Sequence, residues 1–144
     1  MIPFVLLLIA HFLGDVVFNS YGLALLKRTP GVKNQIIGVG AHSLIHAVFV
    51  GLLLRSGEYN WLLGADLVLI QHFLIDYIRA ISEMKLFGPG RVYIKRSEFL
   101  DWITGRSDNP DKMNLKNLRP WFMINISDQG SHVICLLIIS ILVL

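Results

Sequence analysis

Long apolar runs alternate with short polar connections along the chain, and four of the runs are long enough to be membrane spans. They extend from Ile2 to about Asn19, from Ile36 to Leu54, from Trp61 to Ile78 and from Pro120 to Leu144. Each approaches the roughly 20 residues that an α-helix needs to cross the hydrocarbon of a bilayer. The pattern predicts an all-α, polytopic membrane protein, with residues 1–144 forming one domain built as a four-transmembrane-helix bundle. The first run lacks a basic n-region and a small-residue cleavage site, so we interpret it as a retained helix and not a signal peptide.

The connections between the runs differ in charge, and this difference predicts a topology. Residues 27–35 contain three basic residues and no acidic one, whereas residues 55–60 contain one of each. Residues 79–119 hold nine of the 13 Lys and Arg residues. Because cytoplasmic loops of membrane proteins are enriched in Lys and Arg, we expect the first and third connections to be cytoplasmic and both termini to lie outside.

The third connection contains a further helical pattern. The string KRSEFLDWITG predicts a short helix with Ser97 as its N-cap and Gly105 as its stop. Phe99, Trp102 and Ile103 would form its apolar side, so this helix could lie in the membrane interface. The alternative is a solvated basic loop whose charge only sets the topology.

Every histidine inside the four runs lies four residues from another histidine or from an aspartate. Such a spacing places both side chains on one helix face. The pairs include all five histidines of the chain and are His11/Asp15, His42/His46, His72/Asp76 and Asp128/His132. At 1.5 Å per residue, the four pairs fall at overlapping depths in the cytoplasmic half of the predicted bundle. They therefore predict one buried polar centre.

The cost of burying the three carboxylates suggests a metal. Asp15, Asp76 and Asp128 together would cost roughly 8–10 kcal/mol in the membrane if they were unpaired. Binding of a structural zinc ion can contribute on the order of 10–16 kcal/mol in small peptides. Imidazole and carboxylate are ligands for Zn, Mn or Fe, and eight candidate ligands would suffice for one or two ions.

Such a centre predicts hydrolytic chemistry. An ion of this kind acidifies a bound water, which could then attack an ester, an amide or a phosphoester. We assign catalytic roles to the same three carboxylates, those of Asp15, Asp76 and Asp128. The chain has no HExxH motif, so the mechanism of that class of zinc enzyme is not predicted.

Polar residues also continue the paired faces toward the predicted cytoplasmic side. Arg79, Asn19 and Asn125 lie there, and we predict that they bind the substrate, with Arg79 contacting an anionic group. The substrate would be amphiphilic or phosphate-bearing. Asp66 lies about 120° from His72 around the third helix and is interpreted as an interfacial or interhelical residue, not a ligand.

Two other function classes remain open. The His/Asp faces could relay protons or conduct a divalent cation, in which case four short spans suggest a homo-oligomer. They could also only hold the helices of a structural membrane subunit together through interhelical hydrogen bonds. The chain has no basic-aromatic stripe and no nucleotide loop, so its expected partner is the lipid bilayer and not a nucleic acid.

The polar strings resemble one family in the same order. They read HFLGDVVFNS, HSLIH, HFLIDY and DQGSH. They are similar to the pattern of a family of small bacterial and phage membrane proteins catalogued as domain of unknown function 3307. Where that family tends to have an aliphatic residue and Gln, this chain has Phe18 and Asn19. The resemblance implies a multi-pass protein of the bacterial inner membrane and no established activity. By looser analogy, the chain is similar to small membrane-bound metal-dependent hydrolases.

Overall fold

The computed structural model of the chain describes residues 1–18, 21–29, 31–87, 94–107 and 109–144. These residues form helices and turns without β-strands, as the sequence predicts. The elements are α1 (Ile2–Phe12) with a π-helical turn (Leu13–Val17), α2 (Tyr21–Arg28), α3 (Val32–Leu54), α4 (Trp61–Phe87), α5 (Arg96–Ile103), a 3₁₀ turn (Pro110–Met113) and α6 (Leu115–Leu142).

Three of these helices are long and apolar enough to cross a membrane. They are α3, the part of α4 from Trp61 to Glu83, and α6. The first apolar run is shorter and covers Ile2–Val17 as helix. Of the four spans that the sequence predicts, three therefore correspond to helices long and apolar enough to cross a membrane. That the first run also crosses stays a prediction.

The first run does not form the uninterrupted α-helix that its hydropathy predicts. The α-helix ends at Phe12, and the following turn is π-helical, with the N–H of Phe18 bonded to the carbonyl of Leu13 (3.0 Å). Such wide turns often occur at functional sites, because they rotate a side chain away from its regular helical position. Asn19, the predicted end of the run, lies outside the described residues.

The ends of the two middle helices also differ from the predictions. α3 begins at Val32, not Ile36, and α4 continues to Phe87, not Ile78. The predicted ends mark where each apolar run stops, and both helices continue beyond them. A helix continues while its backbone hydrogen bonds continue, whether or not its side chains are apolar.

α6 begins before the predicted first residue, Pro120. Its N-cap is Asn114, whose side-chain oxygen accepts the N–H of Asn117 (3.0 Å), so the helix starts at Leu115. Pro120 consequently lies inside the helix. The predicted span began at Pro120, where the apolar run begins, whereas the asparagine cap determines the start of the helix.

The four long elements pack in a ring. α1 packs against α3 and α6, and α4 packs against the same two helices. One end of the interior is apolar, and its buried side chains are Leu7, Ala10, Val50, Leu54, Val68, Leu136, Ile139 and Val143. The outside is also apolar, with exposed side chains such as Leu52, Ile70 and Ile134. Apolar exteriors around a partly polar interior are typical of helices in lipid.

The segment between α4 and α6 packs on the base of α6. Phe99 of α5 contacts the Trp121 ring (centroids 4.7 Å apart), and Nε1 of Trp121 donates to the carbonyl of Ile94 (3.0 Å). Of the predicted apolar side of α5, only Phe99 is covered in this way, because Trp102 and Ile103 are exposed.

The start of α5 corrects a predicted cap. The N-cap is Lys95, not Ser97, because the Glu98 carboxylate accepts the backbone N–H of Lys95 (2.7 Å). Gly105 adopts a positive φ of 72° just after the helix, so the predicted stop is confirmed. Burial acts to raise the pKa of Glu98, but hydrogen bonds from Lys112 and from the backbone of Lys95 outweigh it and hold the pKa below its ordinary value.

A glycine allows α2 to lie directly against α3. A methyl group on Gly38 would lie 2.7 Å from the backbone nitrogen of Lys27 and 3.0 Å from the carbonyl carbon of Leu26. We expect Gly38→Ala to displace α2 and lower the free energy of unfolding by about 1–3 kcal/mol, as overpacking generally does. Thermal unfolding of the detergent-solubilised variant measures this effect.

Gly40→Ala is the matched control on the same helix. Its added methyl group would meet only Cε2 of Phe73, at 3.9 Å, which is ordinary van der Waals contact. We expect this variant to unfold at or above the wild-type temperature, because alanine favours helix more than glycine does. Equal unfolding temperatures for the two variants would contradict the close packing of α2 on α3.

Candidate metal centre

The polar centre lies directly beside the apolar end of the bundle. Four histidines each lie one helical turn from a residue of the apolar cluster. These are His11 beside Leu7, His46 beside Val50, His72 beside Val68 and His132 beside Leu136. One turn further on lie Asp15, His42, Asp76 and Asp128. Because a spacing of four keeps side chains on one helix face, the inward face of each helix changes from apolar to imidazole and then mostly to carboxylate. The eight residues of the four predicted pairs therefore meet in one place.

The tightest group joins α3 to the π-helical turn. Oδ1 of Asp15 lies 3.0 Å from Nε2 of His42 and 3.3 Å from Nε2 of His46, and the two nitrogens are 3.2 Å apart. Ligands bound at 2.0–2.2 Å lie roughly 3.3–3.6 Å apart around a tetrahedral ion and roughly 3.0 Å apart as octahedral neighbours. The three atoms therefore have the separations of ligands around one ion.

Gly14 allows the π-helical turn to approach α3 this closely. A methyl group on Gly14 would lie 2.5 Å from Nε2 and 2.7 Å from Nδ1 of His46. The imidazole of His46 thus occupies the space that any side chain at position 14 would fill. The wide turn and the glycine together place Asp15 against both histidines of α3.

His72 lies at the centre of the cluster without a hydrogen bond. Its ring stacks between His46 (centroids 3.7 Å apart) and His132 (4.2 Å), and it is only 1% exposed. Neither ring nitrogen has a hydrogen-bond partner within the described part of the chain. An unsatisfied buried polar group costs about 1–3 kcal/mol, which coordination of an ion would offset. Oδ1 of Asp128 is likewise buried and accepts no hydrogen bond from the described residues.

A second, wider group lies between α4 and α6. Nε2 of His132 is 3.5 Å from Oδ1 of Asp76 and 3.8 Å from Oδ1 of Asp128. The Gln71 amide lies 2.8 Å from Nδ1 of His132, so the ring is held with Nε2 toward the two carboxylates. Within the described residues, three sets of side chains have ligand atoms within 4.8 Å of one another: Asp15, His42, His46 and His72; His11, His72 and His132; and Asp76, Asp128 and His132.

Two basic residues bind the outer oxygens of the wider group. Nζ of Lys27 is 2.7 Å from Oδ2 of Asp76, and the guanidinium of Arg79 is 2.5 Å from Oδ2 of Asp128. Each carboxylate therefore has one oxygen toward an imidazole and one toward a cation. Both cations line a cavity of about 40 Å³, together with Asp76, Ala80 and Glu83.

Sequence reasoning missed Lys27 and Gln129. Lys27 belongs to a basic connection, whose charge has an ordinary explanation in membrane topology, and only the packing of α2 on α3 brings it to Asp76. Gln129 belongs to the string DQGSH, but its position beside Asp128 does not predict its contacts. It accepts from Nε2 of His11 (3.2 Å) and donates to Asp15 (3.0 Å), and so joins α6 to α1.

The remaining predicted residues have different surroundings. Arg79 lines the cavity, and Oδ1 of Asn125 accepts from its guanidinium (3.0 Å), so Asn125 holds Arg79 in position. Asn19 lies outside the described residues. Asp66 is exposed and belongs to none of the three groups of ligand atoms found in the described part of the chain.

Comparison with known proteins identifies the family. No curated protein and no solved structure matches the chain. The model of the family described as "Protein of unknown function (DUF3307)" matches residues 3–144, which include all eight residues of the polar centre. The chain belongs to this family.

Proposed function

We propose that the protein is a membrane-embedded, metal-dependent hydrolase whose His/Asp centre holds one or two divalent transition-metal ions. The observation that carries this proposal is the triangle of Asp15, His42 and His46. Its three candidate ligand atoms are separated by the distances expected between neighbouring ligands of one ion. The unpaired ring of His72 beside it supports the same conclusion. A first ion would be held by these residues, and the wider group at Asp76, Asp128 and His132 offers ligands for a second.

The residues around the centre supply the other parts of a hydrolytic site. A divalent ion contributes Lewis acidity and a bound water of near-neutral pKa. The carboxylate of Asp76 lies between the histidines and the cavity, where it can take a proton from a water and return it to a leaving group. Asp15 and Asp128 act as ligands, and the imidazoles of His11 and His132 complete the inner wall.

The charges at the cavity favour a hydrolase over a cation pathway. A permeating cation would approach the histidines through a cavity lined by two basic and two acidic side chains, and it would have to pass the positive charges of Lys27 and Arg79. The same two cations attract an anionic group, as a phosphate-bearing or amphiphilic substrate would present. The alternative, a transport protein for protons or divalent cations, is therefore the second candidate.

The membrane setting of the site follows from the same elements. With α3, α4 and α6 as spans and the first run as the fourth, the positive-inside rule would place Lys27, Arg79 and the cavity on the cytoplasmic side of the inner membrane. Both termini would then face outward. A suitable test is a fusion at Leu144 of a reporter that is active only in the cytoplasm. Activity of this fusion would contradict the orientation.

Elemental analysis and turnover together test the proposed function. We expect the purified, detergent-solubilised protein to contain at least one transition-metal ion per chain and to hydrolyse members of a phosphoester and lipid panel. Asp76→Asn should slow that hydrolysis about 100-fold or more, since a positioned base contributes 10²–10⁴-fold. Asp101→Asn, on the exposed face of α5, is the matched control and should keep the wild-type rate.

Two experimental outcomes would contradict the proposed function. A wild-type protein without stoichiometric transition metal would contradict a metal centre of any kind. Bound metal together with metal or proton flux in liposomes, and no hydrolysis of the panel, would favour the transport alternative.

A further inference from the structure

We propose that the cavity between α2 and α4 is a phosphate subsite in which Lys27 and Arg79 bind the anion, and that phosphate and metal binding reinforce each other there. This inference rests on the proposed metal centre but names the substrate class and adds Lys27 to the site. The shared chemistry is a phosphate group, whether free or at the head of a lipid.

The first argument is the size and lining of the cavity. Its volume of about 40 Å³ holds roughly three water-sized groups, which suits a compact polar group better than an acyl chain. Lys27 reaches it from α2 and Arg79 from α4, and the carboxylates of Asp76 and Glu83 also line it. A point-charge ammonium and a planar guanidinium are the two side chains that proteins use most to bind phosphate.

The second argument is how these cations are held. Arg79 contacts Asn125 (3.0 Å) and Glu83 (3.1 Å) in addition to Asp128, so its guanidinium is positioned before any ligand arrives. Nζ of Lys27 is held by Oδ2 of Asp76 (2.7 Å), and its backbone nitrogen lies where a methyl group on Gly38 would be. Preorganised charges bind an anion without a further cost of ordering their side chains.

The third argument is the connection to the metal centre. The oxygen atom of Asp76 that Lys27 contacts, Oδ2, is also 3.9 Å from Nε2 of both His42 and His72. A divalent ion held by those imidazoles would therefore share the carboxylate of Asp76 with the ammonium of Lys27. Each of these two cations lowers the affinity of the carboxylate for the other. An anion bound in the cavity would reduce the repulsion between them.

The reciprocal coupling gives a specific prediction for Lys27. Lys27→Gln should bind Mn²⁺ more tightly than wild type when phosphate is absent, because a competing positive charge is gone. It should also lose the increase in Mn²⁺ affinity that phosphate produces in wild type. A purely structural role of Lys27 would give the opposite first result, since loss of a packing contact would loosen the metal site.

The experiment measures free Mn²⁺ by electron paramagnetic resonance in titrations of the purified full chain. We expect inorganic phosphate to tighten Mn²⁺ binding by wild type about 10-fold, within the usual range of coupling between two sites. Lys33→Gln, at an exposed position of α3, is the matched control and should behave as wild type. A second arm repeats the titration in phosphatidylcholine nanodiscs with and without phosphatidic acid.

The outcomes distinguish a soluble phosphate compound from a lipid headgroup. They also distinguish failure of the phosphate subsite from failure of the metal centre. An effect of inorganic phosphate supports a soluble phosphate compound, and an effect of phosphatidic acid alone supports a lipid headgroup. Mn²⁺ binding that responds to neither, or that weakens in Lys27→Gln, overturns the subsite while leaving the metal centre intact. A wild type that binds no Mn²⁺ and contains no other transition metal overturns the metal centre itself.

Discussion

The double variant His42→Ala, His72→Ala is expected to lose the metal ion held by the group of Asp15, His42, His46 and His72. His42 supplies one corner of the coordination triangle, and His72 belongs to two of the three groups of candidate ligands. Their removal leaves Asp15 and His46 as the only side chains of the tightest group. Two protein ligands are fewer than the three or four by which zinc is normally held. Elemental analysis of the purified variant against wild type measures the loss.

Ser43→Ala is the control for this variant. Ser43 is fully buried on the same helix, and its hydroxyl donates to the carbonyl of Val39 (2.9 Å), away from the ligand groups. It should retain the wild-type metal content, which would exclude general damage to α3. If the double variant keeps all the metal of wild type, the cluster is not the metal site, and its imidazoles and carboxylates only hold the helices together.

Gly14→Ala is expected to damage the same site without removing any ligand. The added methyl group would lie 2.7 Å from Nδ1 of His46, whose ring already packs against Asp15, His42 and His72. Overpacking of this kind costs about 1–3 kcal/mol. If the methyl group destabilises the metal-bound state by this amount relative to the metal-free state, metal affinity drops roughly 5- to 150-fold. A competition titration against a chelator of known affinity measures this change.

Gly130→Ala provides the comparison. Gly130 lies in α6, two residues from Asp128, and a methyl group there would meet no atom within 4 Å. Any general effect of replacing glycine by alanine in a helix therefore appears in both variants, and the steric effect on His46 appears only at position 14. Equal metal affinities for the two variants would show that the π-helical turn does not need to approach α3 closely.

Much of the fold follows from local sequence. A run of apolar residues must satisfy its backbone polar groups internally when it leaves water, and a helix does this within a single segment. The sequence therefore predicts the helical class, which is confirmed, and four spans, for which the described residues contain three helices long and apolar enough to cross a membrane. It misplaces several helix ends, because a cap such as Asn114 or a turn such as the one at Leu13–Val17 depends on a few backbone hydrogen bonds and not on hydropathy.

The members of the polar centre also follow from the sequence. Residues four apart share a helix face whatever the neighbouring helices do, so the four His/Asp pairs are visible before any tertiary contact is known. Their burial follows as well, since ionisable groups on an apolar helix are expected to face the bundle interior. Whether they act as metal ligands stays a prediction until metal is measured.

Only the tertiary structure decided how these residues are grouped and what joins them. The spacing pairs His11 with Asp15, yet the shortest contact of Asp15 with an imidazole is with His42 of another helix, because a π-helical turn and Gly14 bring the two elements together. Lys27 and Gln129 enter the centre through helix packing alone. A sequence pattern specifies which side of its own helix a residue lies on, but distances between helices are determined by the packing of side chains that are remote in the chain.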